Sequence, residues 1–266
     1  MAAADHLAGI RPPGVPGGGQ GFSKSIGAGY DQTSSAFGNT FCNLPVQASY
    51  GFGRDLPEIF VDAPLSVADQ EGTRYYQDSV AIGVRLPVVT SRDLRWTLTG
   101  AVRGGATGSV ALGTGGYLVG GSITSDLQLA LPEGFTLGIG NTFGYYESRP
   151  VDFGGVYIDY ELQNQVWRNS LFLGRQLGEV FGRTVHGLVR VTDTRVTGDR
   201  FFIPSWQEYT VALVMPSSMP ITAGLTWIDG VQGFSAVRFG GSRPAKSWSS
   251  NALSMAISMG PSIPSI

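Results

Sequence analysis

Apolar and polar residues alternate with a period of two along most of the chain from residue 43 to about residue 241, the pattern of strands with two chemically different faces. Val80, Ile82, Val84 and Leu86 alternate with Ala81, Gly83 and Arg85, and Trp96, Leu98 and Val102 alternate with Arg95, Thr97, Thr99, Ala101 and Arg103. Tyr117, Val119, Ile123, Leu127, Leu129 and Leu131 lead into Pro132-Glu133-Gly134, a turn sequence, and Phe135, Leu137, Ile139, Phe143 and Tyr145 resume the alternation beyond it. Val156 to Val166, Val185 to Val191, Tyr209 to Met215 and Ile221 to Trp227 repeat it, followed by a short run around Phe234 and a final alternation through Leu253, Met255, Ile257 and Met259. No segment has the spacing of an ordinary helix. The pattern predicts an all-β, mainly antiparallel meander of about nine to twelve strands.

Residues 1–42 break the pattern. Arg11-Pro12-Pro13-Gly14-Val15-Pro16-Gly17-Gly18-Gly19 suits neither helix nor central strand, so this segment reads as an irregular Gly/Pro-rich arm, with Ile10, Phe22, Ile26, Tyr30, Phe37 and Phe41 as apolar anchors. Residues 43–241 form the β body, a closed barrel or alternatively a sandwich, and 242–266 a C-terminal strand and tail. Val46–Phe52 is expected as the first strand and Arg54–Arg74 as the first long loop. Short connections at Thr90–Asp93, Pro132–Gly134, Leu177–Arg183 and Pro216–Pro220 alternate with longer ones at Gly104–Gly115, Glu147–Gly155 and Asp193–Ser205.

That loop rhythm, with strands near ten residues, resembles outer-membrane β barrels in general, although no residue motif ties the chain to one family. Composition points the same way. Charged residues make up 14% of the chain against about a quarter in soluble domains. Lys24 and Lys246 are the only lysines, so the usual solvated Lys/Glu surface is missing. The polar strand face is Gly, Ser, Thr and Ala with isolated charges at Arg85, Arg95, Arg103, Asp126, Asp159, Glu161 and Arg190, which suits a narrow lumen with matched charges. Tyr117, Tyr145, Tyr157, Trp206, Tyr209 and Trp227 fall near the long connections and Trp96 and Phe135 near the short ones, as interfacial girdles require. A net charge of −2 gives no footprint for nucleic acid.

Little in the chain suggests catalysis. Cys42 is the only cysteine and reads as a small buried or half-buried hydrophobe; with His6 and His186 the only histidines, no metal site is expected. His186 sits among valines, with Asp193 and Asp199 as its nearest acids in sequence, and reads as a structural histidine because no Gly-x-Ser-x-Gly elbow accompanies it. Asp159 and Glu161 share a strand face and are expected to pair with arginines such as Arg190 or Arg85. Asp193 to Arg200 reads as a polar turn, and Gly100 to Gly108 as a strand end and flexible loop rather than a phosphate loop, lacking Lys-Ser/Thr and a receiving helix. Phe153, Val110, Leu112, Phe201, Phe202, Ile203 and Trp206 are expected as local loop core, or else as a binding patch. No catalytic, cofactor-binding or metal residues are assigned.

The leading expectation is a non-enzymatic, structural barrel of the bacterial outer membrane, narrow rather than a wide pore, with lipid as its partner and its long loops available for binding. The rival is a soluble subunit of a repeating assembly such as a virion shell, tail or secretion machine. Its sandwich core would bury the apolar face, and its arms would lace it to copies of itself. The N-terminus lacks the basic and apolar regions of a signal peptide, which reads as a protein retained inside the cell or a mature sequence with an added Met. That feature and the absence of a terminal aromatic favour the rival.

Overall fold

The computed structural model describes residues 21–243 apart from short segments at 34–39, 45, 54, 71–72, 110–113, 150, 154–155, 159–161, 181–182, 200–203, 216–220 and 232–234. Among the described residues sixteen strands follow one another: β1 (Gly21–Thr33), β2 (Thr40–Leu44), β3 (Val46–Gly51), β4 (Glu58–Asp62), β5 (Leu65–Gln70), β6 (Thr73–Thr90), β7 (Leu94–Ser109), β8 (Thr114–Ala130), β9 (Phe135–Arg149), β10 (Val151–Phe153), β11 (Val156–Ile158), β12 (Gln163–Val180), β13 (Arg183–Gly198), β14 (Ser205–Met215), β15 (Ile221–Gly230) and β16 (Ser235–Arg243). Among the described residues no helix is long and apolar enough to cross a membrane.

The sheet closes on itself. β1 pairs with β3, β3 with β4, β4 with β6, and from β6 each strand of the main sheet pairs antiparallel with the next until β16 returns to β1, Ile26 opposite Arg243 and Thr33 opposite Ala236. β2 and β3 keep one common register against β1, and β4 and β5 one common register against β6. β2 and β3 therefore lie on one line, and β4 and β5 are a single strand interrupted at Ala63–Pro64, where the proline has no N–H to give to the ladder. Counting β2 with β3 and β4 with β5, twelve strands of the described residues form the ring. The registers add up to a stagger of about 14 residues round the barrel, which with twelve strands tilts each strand about 40° from the axis.

The two faces are those of a barrel in lipid. Outward side chains are apolar and open, with Val102 67% and Ile123 64% exposed, while inward Thr192 and Thr194 are 0% and Glu208 1% exposed. A sandwich places these chemistries the other way round, so the soluble-core alternative does not describe this sheet. Tyr117, Tyr145, Tyr209 and Trp227 stand outward towards one rim, joined there by Trp167. On β9, Phe135 and Tyr145 lie ten residues apart, about 25 Å along the axis at this tilt, which matches the apolar band of membrane barrels. Connections after β4's predecessor, β6, β8, β12 and β14 lie at one rim together with the start of β1 and the end of β16; those after β1, β5, β7, β9, β13 and β15 lie at the other. The β8–β9 turn is tight, with Glu133 at φ 60° and Gly134 at φ 74°.

Several sequence expectations change. The supposed arm contributes β1 and part of β2 to the ring, because its Gly-, Ser- and Thr-rich residues need only a neighbouring ladder to become strand. Residues 1–20 and the alternation at 253–259 lie outside the described residues. Arg54–Arg74 is no loop: Glu58–Asp62 and Leu65–Gln70 are strands, with alternation hidden between Pro57 and Pro64. β7 runs to Ser109 and β13 to Gly198, so Gly100–Gly108 and Asp193–Gly198 are strand, and the strands from β6 to β9 with β12 and β13 are 15 to 18 residues long. Cys42 is exposed rather than buried, since its position on β2 has outward parity.

Candidate lumenal site

Polar chemistry concentrates inside the ring. Alternation on β4 turns Glu58, Phe60 and Asp62 inward while Ile59 and Val61 face out. Glu58 lies directly opposite Arg85 of β6, whose Nη1 donates to Glu58 Oε1 at 2.7 Å. Arg85 also lies over the Phe60 ring, 4.3 Å from its centroid. Arg103 of β7 reaches across β6, its Nη2 donating to Asp62 Oδ2 at 2.9 Å and its Nη1 to Ser79 Oγ at 2.8 Å. On the far wall Arg168 of β12 reaches across β13 to both oxygens of Glu208, at 3.1 and 3.2 Å, and Glu208 Oε1 also accepts from Trp206 Nε1 at 3.0 Å. Charges in a low-dielectric lumen survive only when compensated in this way.

Around these pairs the wall is lined with hydroxyls. Thr124 and Thr142 share a hydrogen bond of 2.9 Å, as do Thr210 and Thr226. Arg190 projects from β13 towards Phe172, 5.9 Å from the ring centroid, and makes no direct ion pair among the described residues. Its Nε, with Thr192 Oγ1 and Thr194 Oγ1 on the same face, is buried without a hydrogen-bond partner. That face of β13 therefore retains hydrogen-bonding capacity directed into the lumen. On β14, Thr210 and Val214 are as occluded as Glu208, so this wall is filled by its own side chains.

The residues singled out from sequence separate on this scaffold. Arg85, Arg103, Asp126 and Arg190 do face the lumen, but Arg85 takes Glu58 as its partner, and Asp159 and Glu161 lie outside the described residues. His186 points inward near the short-turn rim whereas Asp193 has outward parity on the same strand and pairs with Arg195 at 3.0 Å, so no His–Asp couple forms there. Trp206 belongs to the lumen through Glu208 rather than to the girdle. Of the loop residues, Phe153 lies on β10, paired with Val156 of β11, and Val110, Leu112 and Phe201–Ile203 lie outside the described residues. Among the described residues no three His, Cys, Asp or Glu side chains gather as metal ligands. Sequence reasoning missed Glu58, Asp62, Arg168 and Glu208. The Glu-Ile-Phe-Val-Asp alternation was the available signal for the first two.

No family model and no curated protein matches the chain. Solved structures do. The β domain of the Bordetella autotransporter BrkA superposes with a TM-score of 0.58 at 12% identity, covering 84% of this chain and 98% of that one. The translocator domain of the autotransporter NalP from Neisseria meningitidis gives 0.56 at 11% identity, covering 86% and 90%. The chain has the fold of an outer-membrane β barrel. LpxR from Salmonella typhimurium is similar as well, with a TM-score of 0.51 at 11% identity and coverage of 84% and 99%.

Proposed function

We propose that this chain is a non-enzymatic barrel of the bacterial outer membrane, a scaffold that holds the long β9–β12 connection, with its β10–β11 hairpin, on the outer side. The observation that carries the reading is the division of chemistry between the faces: apolar side chains are open on the outside, and the lumenal arginines Arg85, Arg103 and Arg168 are committed to acids of neighbouring walls. Such pairs brace strands against one another, and the occluded β13–β14 wall argues against a wide pore. Closure supports the same reading, since a ring satisfies its backbone groups without water. Both ends of the described chain lie at the short-turn rim, which in this orientation is the periplasmic side.

The test is topological and electrical. An epitope inserted after Phe153, between β10 and β11, is expected to bind antibody on intact cells, while one placed after Arg243 is reached only after permeabilisation. Purified barrel in planar bilayers is expected to show no large ohmic steps. Large stable conductance overturns the scaffold reading in favour of a channel, and reversed epitope accessibility overturns the orientation.

A further inference from the structure

Two asparagines stand on the outward-facing surface, Asn141 at mid-depth of the apolar band and Asn169 two residues along β12 from the rim residue Trp167. Asn141 of β9 and Asn169 of β12 lie opposite one another in register, both exposed and both of outward parity. Asn141 is six residues from Phe135 and four from Tyr145, about 15 Å above the lower girdle and about 10 Å below the upper one. Ser125, next in the same row on β8, has its hydroxyl engaged by Trp96 Nε1 at 3.0 Å. Among the described residues the two amides have no such side-chain partner. Amides left bare in hydrocarbon are costly, and membrane proteins place them where another polypeptide meets them.

The surface beside them has a shape that fits itself. Phe143 and Trp167, ring centroids 4.5 Å apart, form an exposed ridge between β9 and β12. Two strands away, Gly100 and Gly121 form the floor of a groove of about 520 Å³, walled by Val84, Val102, Ile123 and Phe143. Gly100 has no atom within 4 Å of where a Cβ would stand, so the groove is open to the outside. Gly100, Ile123, Phe143 and Trp167 follow one row of the register, which keeps ridge and groove within a few residues of the same depth.

We propose that the β7–β12 wall is an interface between two copies of this chain, related by a two-fold axis along the membrane normal between β8 and β9. Each ridge then enters the other copy's groove, and the Asn141 side chains meet beside the axis. An amide carries both donor and acceptor, so a symmetric meeting satisfies both. A lipid acyl chain fills the groove equally well but offers Asn141 nothing, and headgroups lie about 10 Å above it. The proposal rests on the membrane-barrel reading above.

The test uses the full chain with Cys42→Ser, reconstituted in phosphatidylcholine vesicles, with single cysteines introduced by Asn141→Cys near the axis or Val211→Cys on β14, outside the proposed interface, and mild oxidation. Folding is scored by the gel shift of unboiled barrel. Cross-linking several-fold stronger for Asn141→Cys than for Val211→Cys, and returned to the Val211→Cys level by adding Gly100→Leu, is the expected result. Equal or absent cross-linking in correctly folded protein overturns the dimer and leaves the barrel standing. Ile139→Cys serves as a second probe of the same wall if Asn141→Cys fails to fold. A parent protein with no lipid-dependent, heat-modifiable form overturns the barrel, and the dimer with it.

Discussion

At the scale of single residues, burial decides which ion pairs matter. Glu208 is 1% exposed and accepts from Arg168 and Trp206, so Glu208→Ala strands a buried guanidinium and an indole N–H. The expected loss is about 3–5 kcal/mol in denaturant unfolding from micelles. Asp193–Arg195 has similar geometry at 3.0 Å, but the arginine side chain is 70% exposed. Arg195→Ala is expected to change stability by less than ~1 kcal/mol, and a larger loss there contradicts the ranking. Close approach supplies a second test. Phe172 lies directly opposite Gly138, and a Cβ at Gly138 would stand 1.9 Å from its Cε1. Gly138→Ala should destabilise the barrel alone and have little further effect in a Phe172→Ala background; additive losses in that double-mutant cycle would show that the ring and the glycine are not coupled.

For whole elements, the sequence was most readable where a strand has a β-branched or aromatic outer face and small inner residues, as in Val80–Leu86 or Tyr209–Met215. β4 escaped because its inner face carries Glu58 and Asp62, charges that look like loop until Arg85 and Arg103 are seen to neutralise them from other strands. β1 escaped for a different reason. Gly21–Thr33 has weak intrinsic strand preference, and it is held by pairing with both β3 and β16, a long-range fact that local alternation does not contain. The lumenal pairs were only half legible for the same cause, since strand register decides which acid meets which arginine. The band itself makes a sharp prediction on β9 and β8. Ile139→Arg, outward and within the band, should lower folded stability by about 2–4 kcal/mol. Gln128→Arg, which shares Asp126's inward face, should be nearly neutral; equal losses at the two positions would contradict the assigned faces.

For the molecule as a whole, closure and the reversal of faces explain a composition that is odd for a soluble protein. A chain with so few lysines suits an outer surface of apolar side chains on a ring whose described strands pair from β1 round to β16 and back. The similarity to autotransporter β domains is one of architecture, at 12% and 11% identity, and what this barrel does is carried by its own lumen, loops and lipid-facing wall. The most direct test of the central claim is to refold the full chain with and without phosphatidylcholine vesicles and compare boiled with unboiled samples by gel electrophoresis. The account predicts a compact, faster-migrating form only when lipid is present, converted to the unfolded position by boiling. A folded, monodisperse protein in plain buffer, indifferent to lipid, would contradict it.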